Sequence, residues 1–299
     1  MTYSLIIHGG AGSGSKKILK NIQKKLNIKN LESDYHNSLK ECVRLGENIL
    51  KNNGSSIDAV KTCIQYLENN KLFNAGYGSV KDINGNFSLD ASIMYGKDKS
   101  WGAITGCNKV KNPILLVDEI RKDNPRFISG ELNTFDLALK YGLETVNPLY
   151  YDCNYRNIVS TYNHDLGTVG AVALDLEGNI TAGTSTGGTL NKPSGRIGDT
   201  PLIGISTIAD NKSVGISTTG FGEDIIKNQT ASQIMFKYKF LNQNINEAIS
   251  STIRLFDIKS SVGIIGLDKK GNIYYDSNTP RMYLGYVSSN QEIKTSLWN

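Results

Sequence analysis

Thr168 follows a glycine and opens the small-residue run Val169-Gly170-Ala171-Val172, which reads as a strand. Packing gives no reason for a threonine there. A cut between Gly167 and Thr168 would place a free α-amine beside the residue's own hydroxyl. Nucleophile and base would then sit on one residue, which suffices for amide hydrolysis. The segment from Ala182 to Gly222 offers the other groups such a reaction needs. Thr184-Ser185-Thr186-Gly187-Gly188 presents hydroxyls and then bare backbone where a core strand would carry bulky apolar side chains. In Gly195-Arg196-Ile197-Gly198-Asp199, a guanidinium and a carboxylate can clamp a zwitterion, Arg196 taking its carboxylate and Asp199 its ammonium. In Ser217-Thr218-Thr219-Gly220-Phe221-Gly222-Glu223, hydroxyls end a strand and a glycine turn follows, whose backbone N–H groups can stabilise an oxyanion.

Other chemistries are less well supported. The run Gly9-Gly10-Ala11-Gly12-Ser13-Gly14-Ser15-Lys16 follows a strand and precedes a basic helix, as a phosphate-binding loop does. Ser15 interrupts both standard patterns: it separates Gly14 from Lys16, and it stands where a dinucleotide fingerprint starting at Gly10 needs glycine. A tight backbone turn lining a site is the preferred reading of this run. A nucleotide- or phosphate-binding module on Gly9 to Lys16 remains the alternative from a different functional class. The histidines are His8, His36 and His164, and no pair has metal-ligand spacing, so no metal site is expected.

These residues need elements to hold them. Tyr3 to Ile7 reads as a buried strand ending at His8 to Gly12. Helices are expected from about Tyr35 to Asn53, with His36 at its start, and after Ser56 as N-cap, where Ala59, Val60, Cys63, Ile64 and Leu67 form an apolar stripe. Val80 to Ile83 and Phe87 to Met94 read as strands around a turn at Asn84-Gly85-Asn86. Helices follow from Pro113 to about Lys122 and from Leu132 to Tyr141. Residues 148–167 are polar without sustained periodicity and read as an exposed, cuttable connection. Val169 to Asp175 and Ile180 to Thr186 form a hairpin whose sequence is echoed at 262–273. Helices are expected over Asp224 to Leu241 and Ile245 to Phe256. This order gives an α+β fold, with antiparallel sheets and helices on their outer faces.

Composition narrows the partners. The chain has 299 residues, 39% hydrophobic and 20% charged, as for a globular protein with ample core. Its net charge of +5 is spread along the chain and not interleaved with aromatics, which argues against a nucleic-acid surface. No membrane-length apolar run or signal peptide is evident, and Cys42, Cys63, Cys107 and Cys153 are widely spaced without CxxC, so a reduced cytoplasmic setting is expected.

Taken together, several stretches resemble the plant-type asparaginase and isoaspartyl peptidase family of N-terminal-nucleophile hydrolases. They are His8 to Gly12, Phe73-Asn74-Ala75-Gly76-Tyr77-Gly78, Leu89-Asp90-Ala91-Ser92-Ile93-Met94, Gly167 to Val172, Thr184 to Gly188, Gly195 to Pro201 and Thr218 to Glu223, in family order along nearly the whole chain. The resemblance implies a single four-layer αββα domain over 1–299. It implies a precursor that cuts itself between Gly167 and Thr168 into segments 1–167 and 168–299, with Thr168 then hydrolysing L-asparagine or β-aspartyl dipeptides. It also implies that Thr186 orients Thr168, that Thr219 and the Gly220 N–H form the oxyanion hole, and that Asn74 helps fix the nucleophile. Arg196, Asp199 and the backbone at Gly220 and Gly222 would bind the aspartyl unit. No cofactor is required; a structural sodium ion is implied near the loop before Phe73, and a homodimer of cleaved copies is implied as the assembly. Glycosylasparaginases typically have asparagine where Gly187 stands, and the threonine aspartase branch lacks an aspartate at Asp199. Tyr95 stands where the family usually has aspartate, and a common histidine is replaced near Arg126. A homologue that stays uncut and catalytically silent is the remaining alternative.

Overall fold

Alternating side chains along the strands already dictate layers. In the strand that follows Thr168, Val169, Ala171 and Ala173 join one hydrophobic cluster while Val172 and Leu174 join another. A strand that is apolar on both faces must have a layer packed on each side. The computed structural model describes residues 2–162, 167–257 and 260–299. His164, Asp165 and Leu166 of the expected connection lie outside the described residues.

In chain order the elements are β1 (Ser4–Gly12), α1 (Lys16–Lys25), α2 (Leu31–Lys51), α3 (Ser56–Glu68), β2 (Leu89–Tyr95), β3 (Trp101–Cys107), α4 (Pro113–Asp123), β4 (Arg126–Ser129), α5 (Glu131–Lys140) and α6 (Asn154–Tyr162). The second half holds β5 (Val169–Leu174), β6 (Ile180–Thr186), β7 (Thr207–Ala209), β8 (Val214–Gly220), α7 (Gly222–Lys227), α8 (Thr230–Phe240), α9 (Ile245–Ile253), β9 (Val262–Asp268), β10 (Ile273–Ser277), β11 (Arg281–Ser288) and β12 (Gln291–Trp298). An eight-stranded sheet runs β12-β11-β1-β5-β6-β2-β3-β4, and a four-stranded sheet runs β10-β9-β8-β7. Among the strand pairs of the described residues, β3–β4 alone is parallel. Helices α2, α3 and α4 cover the outer face of the large sheet, its inner face meets β8 and β9, and α8 and α9 close the far side. This is the expected α+β sandwich with layers αββα. Among the described residues, no helix is long and apolar enough to cross a membrane.

The helix boundaries follow their caps. Asn30 accepts from the Ser33 N–H at 3.2 Å and starts α2 earlier than expected, which places His36 inside the helix. Ser55, not Ser56, caps α3 by accepting from the Asp58 N–H at 3.2 Å. Asn244 and Glu247 form a reciprocal capping box on α9. Cys42 and Cys63 are buried and reduced where α2 crosses α3, each thiol donating to the other residue's carbonyl at 3.4 Å.

Several expectations change. Strand β1 runs on through the glycines to Gly12, because Ala11 and Gly12 re-pair with β11 beyond a bulge. Val80 to Ile83 is not a strand: a short 3-10 turn at Gly76–Gly78 and irregular backbone lead to β2. The helix expected over Asp224 to Leu241 is two, broken at Gln229, which adopts a left-handed φ of 47°. Residues 148–162 are not a loose connection, since they form a 3-10 turn and α6, with Tyr151, Tyr155, Arg156 and Val159 buried. Tyr95 ends β2 with its ring under the Arg121 guanidinium, 5.5 Å from its centroid.

Candidate active site

Gly167 and Thr168 lead into β5, which lies between β1 and β6 in the large sheet. Thr168 is buried. Its Oγ donates to Thr186 Oγ at 3.1 Å, and its backbone N–H donates to Thr219 Oγ at 3.0 Å. Thr186 is the last residue of β6, and Thr219 lies near the end of β8 in the facing sheet. The two sheets therefore bring one hydroxyl each to opposite ends of the same residue. Thr186 Oγ also accepts from the Gly188 N–H at 2.9 Å, so its lone pairs are fixed by the turn that follows it.

Asn74 braces that turn. It donates through Nδ2 to the Gly188 carbonyl at 2.7 Å, accepts at Oδ1 from the Val80 N–H at 3.1 Å, and its own carbonyl accepts from the Gly187 N–H at 3.1 Å. A Cβ on Gly187 would lie 2.6 Å from Asn74 Oδ1, so glycine is needed for this approach.

His8 is a contributor that its residue type alone did not reveal. It is fully buried on β1, where Nδ1 donates to the Thr168 carbonyl and Nε2 accepts from Ser217 Oγ, both at 2.9 Å. Burial pushes its pKa down to about 3, so the ring is neutral at neutral pH. It therefore holds Thr168 by its carbonyl and carries no charge into the site. Ser217 and Thr219 point to the same face of β8, two residues apart, as strand alternation requires. Ser217 continues through Thr184, Thr207 and Ser92 in a buried hydroxyl chain between the sheets.

The glycine run of β1 packs on the Gly167–Thr168 step. Gly10 has φ +112°, and a Cβ there would lie 2.8 Å from Gly167 Cα. A Cβ on Gly167 would lie 2.4 Å from Gly10 Cα and 2.8 Å from Thr219 Oγ. The run is thus strand backbone against the candidate scissile bond. The nearby helix α1 has its first turn capped by Ser15, whose side chain accepts from the Ile18 N–H. A phosphate-cradling loop is not formed.

Arg196 and Asp199, expected to bind the aspartyl unit, are reached from the other side of β8. Thr218, pointing away from Thr219, donates to Asp199 Oδ2 at 3.4 Å. Asp199 is buried, and desolvation raises its pKa to about 6, against the lowering effect of hydrogen bonds and Arg196. A Cβ on Gly222 would fall 2.7 Å from both Arg196 Nη2 and Asp199 Oδ1, so that glycine sits between the two charges. Gly220, at φ +143°, could not carry a Cβ, which would meet the Ser261 carbonyl at 2.1 Å. Glu223 is the unexpected member. It accepts from Arg196 Nε and Nη2 at 2.9 Å each, a bidentate pair. Its position three residues after Gly220 was visible in the sequence, but its partner was not.

Two further buried charges lie nearby. Asp90 stands opposite Thr186 in the β2–β6 register and accepts from Thr105 Oγ at 2.5 Å. Lys192 donates to the Gly187 carbonyl at 3.0 Å, and burial lowers its pKa.

The family model described as asparaginase matches residues 1–161 and 151–297. The isoaspartyl peptidase of Escherichia coli K12 is 32% identical, covering 93% of this chain and 91% of its own. The isoaspartyl peptidase/L-asparaginase of Bos taurus is 34% identical, covering 89% and 87%. The probable isoaspartyl peptidase/L-asparaginase 2 of Arabidopsis thaliana is 30% identical over 99% of both chains. With its site residues gathered at one sheet junction and its length matched almost throughout, this chain belongs to the asparaginase family.

Proposed function

We propose that this chain is a self-processing amidohydrolase that uses Thr168 as an N-terminal nucleophile. Its substrates would be L-asparagine, released as aspartate and ammonia, and peptides bearing an N-terminal β-aspartyl residue. The observation that carries this reading is the double anchoring of Thr168, by Thr186 Oγ at 3.1 Å and Thr219 Oγ at 3.0 Å, beside a glycine whose carbonyl precedes it.

In the first reaction Thr168 Oγ attacks the Gly167 carbonyl carbon. The C–N bond breaks, the nitrogen takes a proton, and an ester joins Gly167 to Thr168 Oγ. Water hydrolyses that ester, leaving segments 1–167 and 168–299. In turnover the freed α-amine, with a reference pKa of about 7.7–8.0, takes the Oγ proton as Oγ attacks the side-chain carbonyl of the substrate. Thr219 Oγ–H and the Gly220 N–H stabilise the oxyanion. The amine returns the proton to the departing nitrogen, and water releases aspartate from Thr168. Arg196 and Asp199 hold the α-carboxylate and α-ammonium, with Gly222 leaving them room.

The implied sodium ion has a compatible donor set. A Cβ on Gly78 would meet the carbonyl oxygens of Phe73, Lys71 and Asn70 at 2.0, 3.0 and 3.2 Å, so neutral oxygens converge on one space. Hard oxygen donors of this kind suit such a cation, which would brace the loop carrying Asn74. A homodimer of cleaved copies belongs to the same proposal. Sedimentation at about twice the mass of the 32.8 kDa chain checks it.

Intact-mass analysis tests the reading directly. Two fragments should accumulate, the second beginning at Thr168, with release of aspartate from asparagine and from a β-aspartyl dipeptide. Thr168→Ala should remain whole and inactive. A wild-type chain that stays intact and hydrolyses neither substrate would refute the proposal.

A further inference from the structure

We infer that the small cavity behind Gly167 receives the carboxylate that cleavage creates on that residue. The inference rests on the self-processing reading. The cavity, about 20 Å³, is bordered by Gly10, Asn74, Arg156, Gly167, Arg281 and Tyr283. That is room for about one water-sized oxygen atom. Net cleavage consumes one water and turns the Gly167–Thr168 amide into a Gly167 carboxylate and a Thr168 ammonium. In its last step the water oxygen bonds to the Gly167 carbonyl carbon and the bond from that carbon to Thr168 Oγ breaks. One water proton returns to Oγ, and the other goes to the α-amine. Gly167 thus gains one oxygen and a negative charge beside a space of matching size.

Two guanidiniums border that space. Arg156, on α6, is 3% exposed; its Nη2 donates to the Lys71 carbonyl at 3.3 Å, and its Nε has no hydrogen-bond partner among the described residues. No carboxylate among the described residues forms an ion pair with it. Arg281, at the start of β11, is 6% exposed and lies over the Tyr283 ring, 4.9 Å from the centroid. Arg156 is thus a buried cation with no countercharge among the described residues, which is costly, so an arriving carboxylate is favoured beside it.

The new chain end also has to move. Gly167 packs against Thr219, whose hydroxyl must face the substrate's carbonyl in turnover. Docking on Arg156 and Arg281 would withdraw the carboxylate from the oxyanion hole and keep segment 1–167 tethered.

Carboxypeptidase trimming of cleaved, native protein, followed by mass analysis of segment 1–167, tests this. Trimming should be at least tenfold slower than in the same protein denatured. Arg156→Gln should lose that protection, and Arg156→Lys should keep much of it. Trimming of native wild type within twofold of the denatured rate overturns the inference while leaving self-processing intact, whatever the variants do. Protection that survives Arg156→Gln unchanged overturns it as well. A wild-type chain that never cleaves overturns both readings.

Discussion

The two faces of β8 serve the candidate site in different ways. Ser217 and Thr219 point toward the large sheet, where the side-chain partners of Thr168 among the described residues are uncharged: two threonine hydroxyls and a neutral imidazole. Thr218 points the other way, toward Asp199, which lies in a charged cluster with Arg196 and Glu223 that the proposal assigns to recognition. Neutral groups in a dry site keep one geometry across pH, which a nucleophile needs. The charged groups, Asp199 and Arg196 largely buried and Glu223 half exposed, can select for ions but also titrate and exchange partners. Changes on the first face should therefore strike kcat and maturation, and changes on the second should strike KM and the pH profile.

The largest expected effect is on the neutral face. Thr219→Val keeps the shape and removes the hydroxyl that faces both the Thr168 nitrogen and the oxyanion. Turnover by protein already cleaved should fall about 10²–10³-fold, with KM changed much less. Steady-state kinetics on material sorted by intact mass would check it. A rise in KM with kcat unchanged would place Thr219 in general binding instead.

Gly10→Ala comes next. The added Cβ faces backbone, 2.8 Å from Gly167 Cα, and a φ of +112° is strained for alanine. Cleavage should slow by tenfold or more, measured as the first-order loss of intact chain. Normal cleavage would mean that β1 yields more readily than its packing indicates.

On the charged face the test is pH. Burial favours the neutral acid of Asp199, so its carboxylate is lost as pH falls through about 6. The α-amine must also be neutral, so kcat/KM should fall with slope one just below the amine's pKa and slope two below pH 6. Asp199→Asn should weaken binding and leave slope one throughout. Stability should move the opposite way. The unfolded chain titrates near 3.8, so the buried carboxylate costs stability as pH rises from about 4 to 6, and the variant should melt higher at pH 8.

The contrast between the faces also explains what the sequence disclosed. Thr168 and the hydroxyl runs at 184–186 and 217–219 were legible because hydroxyls and glycines at strand ends have no packing purpose, whereas only the family resemblance singled out Thr186 and Thr219 within them. The hairpin at 169–186 was legible by its apolar runs and turn, and its echo at 262–273 proves to be the equivalent β9–β10 hairpin in the facing sheet. His8 was visible as a residue but not as a partner, since its contacts lie 160 and 209 positions away. The burial of 148–162 was hidden because its apolar residues follow no single period. Arg196 was read as open to a ligand's carboxylate, whereas the fold brings Glu223 onto it from 27 positions away.

That pairing gives the smallest and most discriminating prediction. Glu223 is about half exposed and takes Arg196 Nε and Nη2, one bidentate edge of the guanidinium that a substrate carboxylate could otherwise use. Arg196 is largely buried, but the half-exposed Glu223 end leaves the pair open to water, which screens it and holds its contribution to about 1 kcal/mol. A substrate carboxylate can therefore displace Glu223 or share the fork with it at little cost. Glu223→Gln removes the competing charge, so KM for asparagine should fall about two- to fivefold with kcat nearly unchanged. A rise in KM would show that Glu223 chiefly holds Arg196 in place. Added salt separates the two roles further: it should narrow the gap between variant and wild type if charge competition is the cause, and leave it unchanged if the cause is orientation.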